Sequence, residues 1–141
     1  MSNEGASTKT QAEPIRVLLV DDHEHVLWGL SKLIDGEWPR MMVIGMSRDM
    51  TNAKELIEAR SPDVVVLDMN VAGESALDAM PALLARARSE VIVHTATRDA
   101  AMRERAMLAG ARCVVDKEAP AETLLREIER VHREHVGTRA G

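Results

Sequence analysis

Aromatic side chains are almost missing from this sequence, which has no Phe, no Tyr and only two Trp, Trp28 and Trp38. Proteins that bind single-stranded nucleic acid stack bases on aromatic rings, so this class is excluded. Basic residues are also outnumbered: 18 Lys and Arg stand against 23 Asp and Glu, and the net charge of −5 argues against attraction to nucleic acid or to an anionic membrane. The nine Met residues are expected to fill space that aromatic side chains usually take.

Cysteine and long apolar runs are scarce too. The single Cys113 cannot form an internal disulfide, and we expect it to be an inert apolar residue in a reducing compartment. No apolar stretch approaches the length of about 18 residues that a membrane helix needs, and no signal peptide is recognisable. With 45% hydrophobic and 29% charged residues among 141, the composition is that of one globular domain. We therefore expect a soluble cytoplasmic protein that does not contact a membrane.

Five short apolar runs alternate with five amphipathic segments from Pro14 onward. The runs are continuously apolar, which is typical of parallel strands covered on both faces, and they span 15–20, 41–46, 64–67, 90–94 and 112–115. The predicted helices span 23–35, 51–60, 75–88, 99–109 and 120–132. The alternation predicts an α/β fold, a five-stranded parallel sheet with helices on both faces. Residues 1–13 are expected to be a disordered leader, 14–134 the domain and 135–141 a tail.

The third predicted helix has an uncertain start. Ser75 is a candidate N-cap, with Asp78 reaching back to it, but Pro81 would then lie in the second turn and remove a backbone hydrogen bond. This helix is therefore expected either to be kinked or to begin near Met80.

Polar side chains that could bind a metal or take part in a reaction directly follow the apolar runs. They are Asp21 and Asp22 after the first run, Asp68 after the third, Thr95 after the fourth and Lys117 after the fifth. In an open parallel sheet the functional site lies beyond the carboxyl ends of the strands, so these side chains are expected at one edge. Two carboxylates about 4 Å apart repel by about 4 kcal/mol at an effective dielectric constant of about 20, so three of them require a cation. Oxygen ligands at a hydrated edge favour Mg²⁺ over Zn²⁺.

Asp68 follows the central run, so its carboxylate could face the metal with one oxygen and attack a phosphoryl group with the other. Lys117 would then neutralise one phosphoryl oxygen, and the Thr95 hydroxyl would donate to another. Singly, each residue also has a structural explanation, since Asp is common in turns after strands and an Asp pair can cap the next helix. Lys117 is harder to explain in this way, because the chain has only four Lys and one of them follows a buried strand.

Four motifs together resemble those of response-regulator receiver domains, the CheY-like family of two-component signalling. They are VLLVDDH at 17–23, PDVVVLDMN at 62–70, VIVHTA at 91–96, and an Ala-Gly110-Ala segment followed by Asp116-Lys117. Asp-Asp-His followed by Val26 and Gly29-Leu30 is most similar to the NarL/FixJ-type subgroup. The resemblance implies a (βα)₅ fold with strand order 2-1-3-4-5.

The resemblance also implies a function and a role for each site residue. Asp68 would accept a phosphoryl group from a partner histidine kinase, and Thr95 and Lys117 would hold the phosphoryl oxygens. Asp22 and Asp68 would bind Mg²⁺ directly. Asn70 would bind the ion through its backbone carbonyl, and Asp21 would act mainly through water. Such a domain is a signalling switch and not an enzyme, apart from self-catalysed dephosphorylation. We expect it to control transcription, with DNA contacted only by an output domain outside this chain. A homodimer through the fourth helix, fifth strand and fifth helix is a further expectation, to which Arg98, Arg103 and Arg105 could contribute if they are not simply solvated.

The sequence departs from the family pattern at the residues that transmit the signal. Val114 stands three positions before Lys117, where relatives usually have an aromatic residue that turns inward when the Thr moves. Ala72 and Ser75-Ala76 replace the usual Pro and Asp-Gly after the acceptor. We therefore expect intact phosphorylation chemistry with weakened coupling to the dimer face. The alternative is a degenerate receiver that acts as a phosphorylation-independent interaction module.

Other functional classes fit less well. A haloacid-dehalogenase-type phosphohydrolase needs an acid two residues after its nucleophile, where this chain has Asn70, and no Gly-x-Gly-x-x-Gly motif supports dinucleotide binding. His23 and His25 are two residues apart at a predicted helix start and make a poor metal-binding pair. Trp28 lies off the inward face of the first helix, where it could either anchor the kinase or pack against the fifth helix.

Overall fold

A computed structural model describes residues 13–86 and 88–140, which form one five-stranded parallel sheet and five helices. The strands are β1 (Ile15–Val20), β2 (Met41–Ser47), β3 (Val64–Asp68), β4 (Glu90–Thr95) and β5 (Cys113–Asp116). They lie in the order β2-β1-β3-β4-β5, which confirms the predicted fold class and strand order. Residues 1–12 of the predicted leader lie outside the described residues.

The helices cover both faces of the sheet. They are α1 (Glu24–Asp35), α2 (Met50–Arg60), α3 (Ala76–Arg86), α4 (Ala100–Leu108) and α5 (Ala121–Ala140). Residues of α1 and α5 share one hydrophobic cluster, and residues of α2, α3 and α4 share another on the opposite face. A short antiparallel hairpin, Asn70–Val71 with Glu74–Ser75, lies between β3 and α3. None of the helices within the described ranges is both long enough and apolar enough to cross a membrane.

Successive residues of β1 point into different cores. Val17 and Leu19 pack in the α1/α5 cluster, whereas Leu18 and Val20 pack in the α2/α3/α4 cluster. All four are essentially inaccessible to solvent. Because side chains alternate along a strand, a strand with two covered faces must be apolar at every position, which explains the uninterrupted apolar run.

The loops that carry the site are fixed by local capping. Asp99 precedes α4 and accepts a hydrogen bond from the Ala101 N–H at 2.9 Å, which satisfies a free amide of the first turn. Gly110 follows α4 with φ 121°, and a Cβ at this position would lie 2.4 Å from Leu84 Cδ1. Only glycine suits both this backbone conformation and this close approach, so the return from α4 to β5 depends on Gly110.

The start of α3 resolves the ambiguity around Pro81. The helix begins at Ala76 and includes Pro81, so the predicted alternative of a start near Met80 is wrong. Ser75 Oγ accepts a hydrogen bond from the Leu77 N–H at 3.1 Å. Ala76, Ala79 and Met80 are buried in the core, and this burial offsets the one hydrogen bond that the proline removes.

The last helix is longer than predicted. It continues to Ala140, so the predicted end at His132 is wrong, and the described residues of the expected tail, 135–140, are helical. Glu134 accepts a hydrogen bond from Arg112 at 2.6 Å, and His135 Nδ1 lies 2.5 Å from a Glu90 carboxylate oxygen. These contacts hold the extra turns against the first residues of β4 and β5. The domain boundary at residue 134 stays a prediction.

Candidate functional site

Two carboxylates meet at the carboxyl ends of the adjacent strands β1 and β3. Asp21 directly follows β1 and Asp68 is the last residue of β3, and both are more than nine-tenths buried. Lys117, just after β5, reaches both of them: its Nζ lies 2.9 Å from Asp21 Oδ2 and 3.2 Å from Asp68 Oδ2. The structure thus brings together three of the residues that the sequence placed at one sheet edge.

The second oxygen of each carboxylate is held by the backbone. Asp68 Oδ1 accepts a hydrogen bond from the N–H of Met69 at 2.8 Å. Asp21 Oδ1 accepts one from the N–H of His23, also at 2.8 Å. Both side chains are therefore fixed in orientation before any ligand arrives, and Asp68 directs Oδ2 toward the ammonium group of Lys117.

Burial and charge move the pKa values of these three groups in different directions. Burial, together with the charge of Asp21, raises the pKa of Asp68 although Lys117 opposes it. Burial would also raise the pKa of Asp21, but the hydrogen bonds from Lys117 and His23 outweigh it and lower the pKa. Lys117 loses hydration on burial, yet its two carboxylate partners raise its pKa. Lys117 thus stays charged, and Asp68 is the carboxylate that most needs a further cation.

Asp22 completes the acidic group from the side of the loop. Its Oδ2 accepts a hydrogen bond from the Ala72 N–H at 2.9 Å, which connects the β1–α1 loop to the short hairpin. Its Oδ1 is buried and has no hydrogen-bond partner among the described residues. A buried carboxylate oxygen without a partner is costly, and beside two further carboxylates it suits a divalent cation. The donor set therefore fits the ion that the sequence predicts at this edge.

His23 is a residue of this site that sequence reasoning missed. Ligand atoms of Asp21, Asp22, His23 and Asp68 all lie within 4.8 Å of one another. His23 was considered only as a partner of His25 under helical periodicity, but it is the N-cap of α1, with the extended backbone angles φ −98° and ψ 108°. This conformation places its ring beside the carboxylates, and its position directly after the acidic pair was the available signal.

Thr95 and Asn70 lie next to this group. Thr95 ends β4 and is buried, and its Oγ1 accepts a hydrogen bond from the Thr97 N–H at 3.1 Å, which leaves the hydroxyl proton for another acceptor. Asn70 lies two residues beyond Asp68, is exposed, and pairs with Ser75 in the hairpin. Its predicted role as a backbone ligand remains a prediction.

The whole arrangement matches one known family. The family model of the response regulator receiver domain covers residues 17–129. The chain belongs to this family. Proteins of the family are signalling domains of two-component systems, and the predicted resemblance is confirmed.

Relatives of two kinds share this receiver. A protein-glutamate methylesterase/protein-glutamine glutaminase of Rhodopseudomonas palustris is 36% identical over 115 residues, which are 79% of this chain and 30% of that protein. The DNA-binding transcriptional activator DevR/DosR of Mycobacterium tuberculosis is 34% identical over 119 residues, 83% of this chain and 54% of that protein. The chain thus spans 30% of the first relative and 54% of the second, and the match concerns their receiver part.

Solved receivers have the same fold. The response regulator domain of Thermotoga maritima CheB has a TM-score of 0.79 at 26% identity, covering 86% of this chain and 98% of that domain. The receiver domain of a putative response regulator NarL from Mycobacterium tuberculosis has a TM-score of 0.80, covering 86% of this chain and 98% of that one. Because it is only 24% identical in sequence, this similarity supports the fold alone.

An arginine of α4 bridges the loop after β4 and the backbone of Val114, the position that lacks the usual aromatic residue. Val114 packs against the α2/α3/α4 cluster, the face toward which Thr95 also points by strand alternation. Arg103 of α4 donates to the Thr97 carbonyl at 3.1 Å and to the Val114 carbonyl at 3.4 Å. We name these two bonds the Arg103 fork. It ties the loop after Thr95 to β5, so Arg103 has partners within its own chain.

Two further residues lie close to the site without joining it. His94, on β4, faces α1 and α5, is buried, and lines a cavity of about 270 Å³ with Leu30 and Leu124. Its Nδ1 has no hydrogen-bond partner among the described residues, and burial together with the charge of Lys117 lowers its pKa to about 4.

Trp28 is 64% exposed and lines a groove together with Met46, not with residues of α5. Its contact with a kinase stays a prediction.

Proposed function

We propose that this receiver accepts a phosphoryl group on Asp68 from a histidine kinase and that the modified domain then changes its protein contacts. The observation that carries the proposal is the position of Asp68. It is a buried carboxylate at the end of the central strand, with an ammonium group 3.2 Å from one of its oxygens and two further carboxylates beside it.

The transfer exchanges one bond to phosphorus for another. A carboxylate oxygen of Asp68 attacks the phosphorus of the kinase's phosphohistidine, and an acyl phosphate forms as the P–N bond breaks. The bonding electron pair remains on the imidazole of the kinase, which takes up a proton from solvent. Negative charge grows on the phosphoryl oxygens, and the raised pKa of Lys117 keeps its ammonium group available to neutralise it.

The hydroxyl of Thr95 and the ammonium of Lys117 would bind the transferred phosphoryl oxygens. Asp22 and Asp68 would bind Mg²⁺ directly, Asp21 would act mainly through water, and Asn70 would contribute its backbone carbonyl. When bound, the ion would add positive charge to that of Lys117 and so reduce the repulsion between an incoming phosphoryl group and three carboxylates.

The output proposed for this receiver is control of transcription. DevR/DosR, a relative at 34% identity, is a DNA-binding transcriptional activator. The net charge of −5 makes the receiver itself a poor DNA ligand, so an output domain would contact DNA. The methylesterase relatives support a different output domain, since their receivers are attached to an enzyme. We place the receiver in the cytoplasm, which suits its single Cys113, whose pKa burial raises to about 12.

A second candidate function is a receiver that works as an interaction module whatever its phosphorylation state. Val114 and the Arg103 fork favour it, because the fork holds in place the loop that would have to move. The two candidates differ in whether modification of Asp68 changes the contacts of the receiver, and a receiver whose Asp68 is never modified can only be the second.

Intact mass after incubation with acetyl phosphate tests the proposal. With Mg²⁺, the wild-type chain should gain the mass of one phosphoryl group, and without a divalent cation it should gain little. Asp68→Asn should gain none, whereas Asp78→Asn, which changes an exposed carboxylate on α3, should behave as the wild type. Equal labelling of wild type and Asp68→Asn would refute the assignment, and an unlabelled wild type would favour the interaction module.

A further inference from the structure

We propose that His23 is a ligand of the divalent cation in this receiver, and that its imidazole makes the site favour Mn²⁺ over Mg²⁺. The inference rests on the proposed function, because it assigns one more ligand to the same site. It changes the chemistry of that site, since a nitrogen donor joins a set otherwise made of oxygen donors.

The distances match neighbouring positions around one ion. His23 Nδ1 shares a hydrogen bond with Asp21 Oδ1 at 2.8 Å, and a bound cation would replace the proton of that bond. The same nitrogen lies 3.3 Å from Asp22 Oδ1 and 3.8 Å from Asp68 Oδ2. Adjacent ligands of an octahedral ion with bonds of about 2.1 Å are about 3.0 Å apart. The imidazole nitrogen therefore lies at about this spacing from oxygens of Asp21 and Asp22 and farther than this from Asp68. The Asp22 oxygen is the one that lacks a hydrogen-bond partner.

The backbone fixes His23 in place, while the ring remains accessible. Its N–H donates to Asp21 Oδ1, so the N-cap position cannot move without breaking a bond to the site. The side chain is 54% exposed. To bind a metal at Nδ1, the ring must exchange its hydrogen bond to Asp21 for the metal and carry its proton on Nε2, and an exposed ring can place that N–H in water.

Nitrogen ligation alters which ion is preferred. Mg²⁺ is a hard ion that selects oxygen ligands and gives up water reluctantly. Divalent transition metals accept imidazole readily, and their affinity for a mixed nitrogen and oxygen site rises from Mn²⁺ onward. A site of oxygen ligands and one imidazole should thus bind Mn²⁺ more tightly than a site of oxygen ligands alone, with little gain for Mg²⁺.

His25 provides a matched control. It is also exposed, and its ring centroid lies 6.1 Å from that of His23. Because it is the second residue of α1 and lies outside the cluster around the carboxylates, its removal leaves the proposed ligand set unchanged. The two substitutions remove the same chemical group within three residues of each other.

Pulsed EPR of the Mn²⁺-loaded chain and Mn²⁺ and Mg²⁺ titrations by calorimetry provide the test. The wild type and His25→Ala should show coupling of Mn²⁺ to an imidazole nitrogen, and His23→Ala should not. His23→Ala should weaken Mn²⁺ binding by about tenfold or more and change Mg²⁺ binding by less than about threefold. Asp22→Asn should weaken binding of both ions.

The outcomes separate this inference from the proposed function. If the wild type binds Mn²⁺ without nitrogen coupling, or if His23→Ala keeps the coupling, His23 is no ligand, while the metal site and the proposed function stand. If the wild type binds neither ion, both the inference and the proposed Mg²⁺-dependent phosphorylation are wrong. Loss of coupling in His25→Ala would also overturn the inference.

Discussion

At the scale of the residue, His94 shows what burial does to a titratable group within the sheet. Burial and the nearby charge of Lys117 lower its pKa from 6.5 to about 4. Between these values the unfolded chain carries a proton on His94 that the folded chain does not. The free energy of unfolding must therefore fall as the pH falls through this interval, and it is unaffected by His94 above pH 6.5.

We predict the size of this effect from the two pKa values. Going from pH 7 to pH 5 should cost the wild-type chain about 2 kcal/mol of unfolding free energy through His94 alone. His94→Leu should lack this contribution, whereas His25→Ala should retain it because His25 is exposed. Urea unfolding of the three chains at both pH values measures the difference. An equal loss of stability in His94→Leu would show that His94 is not the group responsible.

At the scale of the element, the Arg103 fork links the loop after β4 to β5. For Thr95 to reach a bound phosphoryl oxygen, this loop must shift, and the bonds from Arg103 to Thr97 and Val114 resist the shift. The fork thus reaches the backbone of Val114, the position at which the family pattern has an aromatic residue. It stabilises the unmodified arrangement, and removing it should make the modified arrangement easier to reach.

We predict that Arg103→Ala binds beryllofluoride, an analogue of the phosphoryl group, more tightly than the wild type. A net hydrogen bond is worth about 1 kcal/mol, so the gain should be about five- to tenfold in the dissociation constant. Arg105→Ala is the control, because Arg105 is exposed on the same helix and contacts the sulfur of Met102 instead of the loop. Calorimetric titration measures both. Weaker binding to Arg103→Ala would mean that the fork supports the modified state.

The elements also show which features a sequence can predict. The bounds of β1 were predicted correctly, because its apolar run ends where Asp21 begins, and the strand-end rule found Asp21, Asp68 and Lys117. The last turns of α5 were missed because their support is tertiary: Arg112 and Glu90 lie far away in the sequence. His23 and the Arg103 fork were missed for a similar reason. The N-cap conformation of His23 and the two bonds from Arg103 to backbone carbonyls leave no periodic pattern in the sequence.

At the scale of the whole molecule, the question is how strongly the site communicates with the α4-β5-α5 face. Exposed apolar side chains lie on two of its elements, α4 and α5, among them Leu108, which is 80% exposed. Val114 has one side-chain torsion and too little reach to fill space that Thr95 would vacate, so the two states differ little in packing. Coupling should then be weak compared with the usual allosteric range of about 1–3 kcal/mol.

We predict that dimerisation through this face depends little on phosphorylation. Sedimentation with and without beryllofluoride should give dimer constants within about a hundredfold of each other, a limit that corresponds to about 2.7 kcal/mol. The prediction holds whether the receiver is mostly paired or mostly single. A larger shift would show that the signal reaches the dimer face without an aromatic residue.

The contact between Lys117 and Asp21 joins residues that are 96 positions apart in the chain. At about 5–20 residues per second, a ribosome adds Lys117 roughly 5 to 20 s after Asp21. During that interval the nascent chain has Asp21 and, from about halfway, Asp68, but it has neither the ammonium group nor the strand that precedes it. If the receiver accepts its phosphoryl group as proposed, a kinase that meets this chain during translation finds no complete acceptor site until synthesis has passed β5.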